Sequence, residues 1–370
     1  MDSGGEGKHV DMVHGGRVYE YAERVGRTVD RIMDFSANIN PLGPPVSVMR
    51  AIERGLGDIR HYPDSRHDGI KRVLQSRLGV NGDQILCTNG AEEALELLFR
   101  TIRPPRTVVL TPAFMEYATI ASRYGSQVCA IPLSIDVDVR LPMDKLDGIL
   151  RAGDVLVLNN PHNPTGVSWP RHQWRKYVEK WSAQGSYVIC DESFIDFLPQ
   201  PLAYSALPLV LAGEHVIIVR SATKMFAIPG LRFGFAIGAP LLFAEISSNR
   251  DPWSVNHLAQ VAAMAAYQDV EFELATARWL EQEQDYIRSV WGQQEDFHLF
   301  PFSANFFLVR ASSAALAQRV EKELRKEGVF VRNCEQFSGL GADYLRVAVR
   351  HHWENIRLWT MVRDLAIASR

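Results

Sequence analysis

Lys224 stands in the stretch Ser221-Ala-Thr223-Lys224-Met-Phe-Ala-Ile-Pro-Gly230-Leu-Arg232-Phe-Gly234, directly after the apolar run His215-Val-Ile-Ile-Val-Arg220. That run reads as a buried strand. The lysine therefore leaves a strand end, where α/β proteins collect their ligands. A lysine beside small hydroxyl residues, with an arginine eight positions on, suits an imine-forming amine next to an anion. Such an amine needs desolvation or a cationic neighbour to be nucleophilic at neutral pH. The competing reading is a solvated surface lysine, but the apolar Met225, Phe226, Ala227 and Ile228 argue against a freely exposed loop. Asp191, in Cys190-Asp191-Glu192-Ser193-Phe194 after the apolar Tyr187-Val-Ile189, is a strand-end acid or else a helix N-cap. Asn163 lies in Asn160-Pro-His-Asn163-Pro-Thr-Gly166, where two X-Pro steps fix the loop so that an amide points inward. Asn89-Gly90-Ala91-Glu92 is a strand-to-helix turn whose backbone N–H groups bind an anion without a basic side chain. Gly90 permits close backbone approach, and the Glu92 side chain is expected to point away from that anion.

The elements that must hold these residues alternate. Strands are expected at 85–88, 107–110, 127–131, 155–158, 186–190, 216–219 and 233–237, with helices between most of them, among them 91–102, whose Ala91, Ala94, Leu95, Leu98 and Ile102 share one face. Unbroken β-branched runs in this order imply an α/β fold with a mostly parallel seven-stranded sheet covered on both faces. Residues 14–48 look irregular, rich in turn residues. Helices are expected at about 47–55 and 68–78, and a helical tract from about 241 to 294 includes a long stretch over 269–294. Beyond it a strand at 306–310, a helix at 313–327, strands at 329–331 and 345–349 and a helix at 353–367 make a smaller α+β C-terminal domain. The division is an N-terminal arm over 1–45, a large domain over 46–270 and a small domain over 271–370.

The 370 residues are 46% hydrophobic and 22% charged with a formal net charge of -3, an ordinary globular balance that points to neither nucleic acid nor an anionic membrane. Cys87, Cys129, Cys190 and Cys334 are scattered without metal-type pairing, so no metal is expected and a reducing cytoplasm is the expected location. The polar N-terminus has no signal-peptide h-region, and no apolar stretch approaches a membrane span.

The lysine segment resembles the cofactor-lysine segment of fold-type I enzymes that use pyridoxal 5′-phosphate (PLP), the aspartate-aminotransferase superfamily, and Asn160–Gly166 resembles that superfamily's Asn-Pro-x-Asn-Pro-Thr-Gly turn. The resemblance covers nearly the whole chain from His14 onward. It implies PLP as cofactor, a large PLP-binding domain and a homodimer. On it, Lys224 forms the imine and Asp191 keeps the pyridine nitrogen protonated. Asn163 donates to the ring oxygen. Gly90, Ala91, Glu92, Ser221, Thr223 and Arg232 form the phosphate cup. Phe114, in Thr111-Pro-Ala-Phe114-Met-Glu-Tyr117, matches the ring-stacking aromatic, with a core phenylalanine as the competing reading. Tyr62, in His61-Tyr62-Pro63-Asp64, matches the tyrosine that reaches the cofactor phosphate of the other subunit.

Within the superfamily, Arg346 in Tyr344-Leu-Arg346 matches the arginine for the substrate carboxylate, and Arg332 matches the position where histidinol-phosphate aminotransferases hold the substrate phosphate. His14-Gly-Gly16-x-x-Tyr19 and Phe35-Ser-Ala-Asn38-Ile-Asn-Pro-Leu-Gly43 resemble the N-terminal segments of the L-threonine-O-3-phosphate decarboxylases of cobalamin biosynthesis. His14 and Asn38 join Asn163, Arg332 and Arg346 as substrate residues on that resemblance. Phe194 stands where aminotransferases carry a tyrosine hydroxyl, and Asp191-Glu-Ser-Phe194-Ile-Asp-Phe197 also resembles the decarboxylases. The expected activity is decarboxylation of an O-phosphorylated amino acid, with a histidinol-phosphate or related aminotransferase as the alternative. A third reading, an aminotransferase-like sensor domain of a transcription regulator, is disfavoured by the short polar tail and the intact Lys224.

Overall fold

The computed structural model describes residues 15–135 and 139–368. Its strands are, in chain order, β1 (Met33–Asp34), β2 (Ile85–Thr88), β3 (Arg106–Thr111), β4 (Gln127–Pro132), β5 (Val155–Asn159), β6 (Tyr187–Asp191), β7 (Val216–Ser221), β8 (Gly234–Ile237), β9 (Phe297–Leu299), β10 (Phe306–Ala311), β11 (Val329–Phe330), β12 (Arg332–Asn333) and β13 (Tyr344–Ala348). Seven of them form one sheet in the order β2-β8-β7-β6-β5-β3-β4. It is parallel except at β8, which runs antiparallel to both β2 and β7. Every residue of β5, β7 and β8 is buried, as strands covered on both faces must be. The helix Ala91–Ile102 lays Ala94, Leu95, Leu97, Leu98 and Phe99 on one face of the sheet, against Val157, Ile189 and Val219.

Parallel pairing brings the carboxyl ends of neighbouring strands side by side. Asn159 at the end of β5 pairs in register with Asp191 at the end of β6, and Asp191 with Val219, two residues before the end of β7. Beneath these ends lies a buried charge cluster. Arg220 donates to Glu192 Oε2 from Nε at 3.1 Å and Nη2 at 2.9 Å, and its Nη1 stands 3.7 Å from Asp196.

The C-terminal part carries the antiparallel sheet β12-β13-β10-β9 with helices Ala314–Lys326 and His352–Ile367. β1 of the arm pairs in parallel with β11, so the arm is tied to this unit. No helix among the described residues is long and apolar enough to cross a membrane.

Four features differ from the sequence reading. The helical tract over 241–294 is three helices, Pro240–Ser248, His257–Ala266 and Val270–Trp291. Pro252 cannot continue a helix, and Asn256 and Asp269 start new ones by accepting from the backbone N–H of Ala259 and Phe272. Inside the stretch read as irregular, Val18–Val25 is a helix closed by Gly26 at φ 63°. It buries Tyr21, whose ring stacks on Phe330 at 4.0 Å. The expected strand at 329–331 divides at Val331 because β11 pairs with β1 and β12 with β13. The short β9 was not anticipated.

Candidate active site

Lys224 sits in the turn Ala222–Met225 just after β7. Ser221 caps that turn, its Oγ accepting from the Thr223 N–H and meeting the Thr223 hydroxyl at 2.7 Å. The Lys224 amine donates to Ser221 Oγ at 3.4 Å. Burial pushes this amine down to about 8. The Asp191 carboxylate pulls it back up, the Arg232 guanidinium pushes it further down, and Glu92 raises it. The lysine backbone is held from the arm: Asn40 N–H donates to the Lys224 carbonyl at 3.0 Å, and Asn40 Nδ2 donates to the Met225 carbonyl and to Thr276.

Asp191 is buried, and both its oxygens are engaged. The Ser193 N–H donates to Oδ1 at 2.9 Å and the Tyr117 hydroxyl to Oδ2 at 2.5 Å. Burial raises the Tyr117 hydroxyl well above the ordinary tyrosine range, and the Asp191 carboxylate adds to this, so the tyrosine stays a neutral donor. Asn159 Nδ2 and Asn160 N–H both donate to the Asp191 carbonyl, and Asn159 Oδ1 accepts from the Asn163 N–H at 2.7 Å. Asn159 thus joins the acid's strand end to the proline loop. Arg346 Nη1 donates to Asn163 Oδ1 at 2.6 Å. A guanidinium only donates, which fixes the amide orientation and leaves Asn163 Nδ2 as the donor facing the cavities.

Two adjoining cavities meet at Lys224. The inner one, about 220 Å³, is lined by Ala91, Glu92, Phe114, Tyr117, Asn163, Asp191, Ser193, Phe194, Ser221, Lys224 and Arg232 among others. The outer one, about 440 Å³, shares Phe114, Asn163, Phe194, Lys224 and Arg232 and adds Gly15, Gly16, Asp34, Ser36, Asn38, Thr223, Arg332, Phe337 and Arg346. At the inner end the backbone packs without room for side chains. A Cβ on Gly90, whose φ is 84°, would come within 2.7 Å of Arg232 Nη2, and one on Gly234 within 2.5 Å of the Ala91 nitrogen. The N-terminus of the 91–102 helix, the Ser221 and Thr223 hydroxyls and Arg232 therefore converge, a donor set suited to a phosphate.

In the outer cavity both Arg332 and Arg346 are 7% exposed. Arg346 Nη2 donates to the Ser36 carbonyl at 2.6 Å, and its buried Nε has no protein partner among the described residues. Burial lowers the Arg346 guanidinium to about 10 and also lowers that of Arg332, which lies over the Phe337 ring at 5.7 Å. Asn38 is buried. Its carbonyl accepts from Asn305 Nδ2 at 3.0 Å, and its Oδ1 has no partner among the described residues. Phe194 meets Phe306 edge-on at 4.9 Å and presents no hydroxyl.

Gly90, Ala91, Glu92, Phe114, Asn163, Asp191, Ser221, Thr223, Lys224, Arg232, Asn38, Arg332 and Arg346 thus come together around these two cavities. Glu92 is exposed while lining the inner cavity, and it raises the Lys224 amine electrostatically. Tyr62 lines neither cavity. It is 77% exposed and stacks on Trp253 at 4.4 Å. His14 lies outside the described residues. Sequence reasoning missed Tyr117, Asn159, Asn40 and Ser36. Tyr117 lies in the same segment as Phe114, three residues on in the first turn of the helix Glu116–Arg123, and its ring meets that of Phe114 edge-on at 5.5 Å.

Residues 30–358 match the model of the aminotransferase class I and II family. The chain is 32% identical over 356 residues to the threonine-phosphate decarboxylase of Salmonella typhimurium, covering 96% of this chain and 97% of that one. It is 29% identical over 358 residues to the adenosylcobalamin biosynthesis bifunctional protein CobDQ of Leptospira interrogans, covering 93% of this chain and 40% of that one. Among solved structures it is similar to the histidinol-phosphate aminotransferase from Clostridium acetobutylicum, with a TM-score of 0.85 and 25% identity over 91% of this chain and 100% of that one.

Proposed function

The chain belongs to the aminotransferase class I and II family, and on that footing we propose that it is a PLP-dependent decarboxylase of an O-phosphorylated amino acid. Its substrate is L-threonine O-3-phosphate, with serine phosphate as a second. The products are CO₂ and (R)-1-amino-2-propanol O-phosphate, in cobalamin biosynthesis. The observation that carries this reading is the pair of buried guanidiniums, Arg332 and Arg346, in one cavity beside Lys224. A substrate with two anionic groups presents one to each of these cations, and the Salmonella and Leptospira relatives supply the reaction and pathway by name.

The residues of the inner cavity fit the cofactor. Lys224 would hold its carbonyl carbon, Asp191 its ring nitrogen, Asn163 Nδ2 its ring oxygen and Phe114 its ring face. The Gly90–Glu92 turn, Ser221, Thr223 and Arg232 would hold its phosphate. When bound, the cofactor supplies an electron sink for the bond that breaks at the substrate α-carbon.

The protein's own task is to choose that bond. It does so through the residues that would hold the substrate beside the cofactor. Arg346 offers its buried Nε–H edge to the carboxylate and Arg332 its charge to the phosphate, as planar forks suited to such anions. The positions of these two anchors would decide whether the carboxylate or the hydrogen is the group lost from the α-carbon. With the carboxylate lost as CO₂, the α-carbon takes up one proton. The Lys224 amine, at about 8, is mostly protonated at neutral pH and can deliver it. Phe194 supplies no hydroxyl near the amide of Asn163, one donor fewer than the aminotransferase pattern has.

The active unit is a homodimer in this reading. Tyr62, exposed beside Trp253, enters the partner's site. A reducing cytoplasm suits the four free cysteines. The second reading, histidinol-phosphate amino transfer, is favoured by the similarity to the Clostridium enzyme. Purified enzyme with PLP decides between them. Release of CO₂ from L-threonine O-3-phosphate is expected. Amino transfer from histidinol phosphate to 2-oxoglutarate without CO₂ release overturns the proposal. A fully active monomer by sedimentation at assay concentration overturns the dimer.

A further inference from the structure

Ser36 is 1% exposed, and its hydroxyl is fully committed. It donates to Asp34 Oδ1 at 2.6 Å, an oxygen that also accepts the Ser36 N–H at 2.8 Å. With its one proton placed there, the hydroxyl oxygen can only accept from its other two neighbours. These are the Gly16 N–H at 3.0 Å and the Tyr21 hydroxyl at 3.1 Å. The Ser36 carbonyl accepts from Arg346 Nη2 at 2.6 Å. Gly15 passes directly over that carbonyl, since a Cβ built on it would lie 2.3 Å from the Ser36 oxygen. Gly16 follows at φ 82°, a backbone conformation that favours glycine. Gly15 is therefore required by contact with Ser36 and Gly16 by its backbone conformation, and one residue, Ser36, joins the arm, the Val18–Val25 helix and the guanidinium of Arg346.

We infer that Ser36 is a positioning residue that couples the Gly15-Gly16 arm to Arg346, so that the arm is seated over the outer cavity only when the guanidinium is aimed for an anionic substrate. The chain of contacts is continuous. Asp34 fixes the Ser36 rotamer. The Ser36 hydroxyl pins the arm through Gly16 and the helix through Tyr21, and the Ser36 carbonyl and Asn163 Oδ1 together set the plane of Arg346, leaving its Nε–H free for the substrate. An anion drawing on Arg346 thereby stabilises the seated arm, and by reciprocity the seated arm raises affinity for the anion. The kinetic part of the test rests on the decarboxylase reading, while its exchange part does not.

The test uses the full-length holoenzyme and two variants of different chemistry. Ser36→Ala removes the hydroxyl hub. Gly15→Ala keeps every hydrogen-bonding side chain and introduces only the clash with the Ser36 carbonyl. Amide hydrogen exchange over residues 15–25 is measured with and without O-phospho-L-threonine, alongside steady-state kinetics on the same compound. In the parent enzyme the ligand should slow exchange over this segment several-fold, and both variants should abolish most of that slowing. Both should raise KM about tenfold, the effect of misaiming one charged contact, with a smaller change in kcat. Cofactor affinity, followed by its absorbance, should move by less than about twofold in either variant, since Ser36 does not line the inner cavity. Ligand-induced slowing of exchange that survives in both variants overturns the coupling. So does a loss of cofactor affinity that matches the loss of substrate affinity, which would mark a merely structural role. If the parent enzyme binds the ligand without releasing CO₂, the activity assignment fails and the exchange data alone decide the role of Ser36.

Discussion

The Lys224 amine is predicted to titrate near 8 rather than at a lysine's ordinary 10.5. The main cause is burial at the head of the inner cavity. At pH 7 an amine at 8 is about one-tenth neutral, whereas one at 10.5 is neutral in roughly one molecule in three thousand, so the structure makes the nucleophilic form about 300-fold more abundant. The neighbours give the signs of two perturbations. Asp191 pulls the amine up, so Asp191→Asn should lower the midpoint. Arg232 pushes it down, so Arg232→Met should raise it. The assay is NMR of the apoprotein after reductive methylation with ¹³C-formaldehyde, the resonance being identified by its loss in Lys224→Arg. Stability carries the same signature. The folded amine gives up its proton near 8 and the unfolded one near 10.5, so between those values the unfolded chain binds more protons. Stability contributed by this group is fully present above about 10.5 and is lost as pH falls through about 8. Lys224→Met should flatten that rise. A parent midpoint near 10.5, or Asp191→Asn and Arg232→Met moving it in the same direction, would refute the burial-plus-neighbour account.

Three further outcomes are expected. Tyr117→Phe keeps the ring but removes a donor from Asp191, and a lost bond to a charged group should cost about 10- to 100-fold in kcat/KM with the circular dichroism unchanged; a loss under twofold would mean the bond does nothing for the acid. Arg346→Lys keeps the charge yet cannot reach both Asn163 Oδ1 and the Ser36 carbonyl as a planar fork, so KM for the phosphorylated substrate should rise at least about tenfold while the cofactor dissociation constant changes far less; equal effects on both would contradict separate cavities. Arg220→Met strands Glu192 and Asp196, whose side chains are 1% and 10% exposed, and should destabilise the fold by about 3–5 kcal/mol in urea unfolding. The triple change Arg220→Met, Glu192→Gln, Asp196→Asn should recover much of that, and no recovery would argue against stranded charge as the cause.

The sheet was legible because its strands are buried on both faces and so are written as unbroken apolar runs. The expected strand at 216–219 and helix at 91–102 match β7 and the observed helix to within two residues. The helical tract misread over 241–294 shows the limit of periodicity: Ala-rich segments continue the pattern through Asn256 and Asp269, whose capping role depends on where the chain turns. The strand at 329–331 divides for a reason outside its own sequence, since the arm, some 300 residues earlier, supplies β1.

The same reasoning explains which site residues could be read. Lys224, Asp191 and Asn163 act through side chains and are flanked by the residues that present them, so a short stretch carries the signal. Ser36 and Asn40 act on groups far away in sequence, and partly through their own backbone. The Ser36 carbonyl meets a guanidinium 310 positions on, and Asn40 N–H meets the carbonyl of Lys224. No side-chain pattern encodes a carbonyl. What the sequence does hold is the consequence: two adjacent glycines at 15 and 16, where a Cβ would collide with Ser36 or sit at a disfavoured φ. The glycine pair is thus a trace of the surface it lies on. Here that surface is the backbone carbonyl that accepts from Arg346.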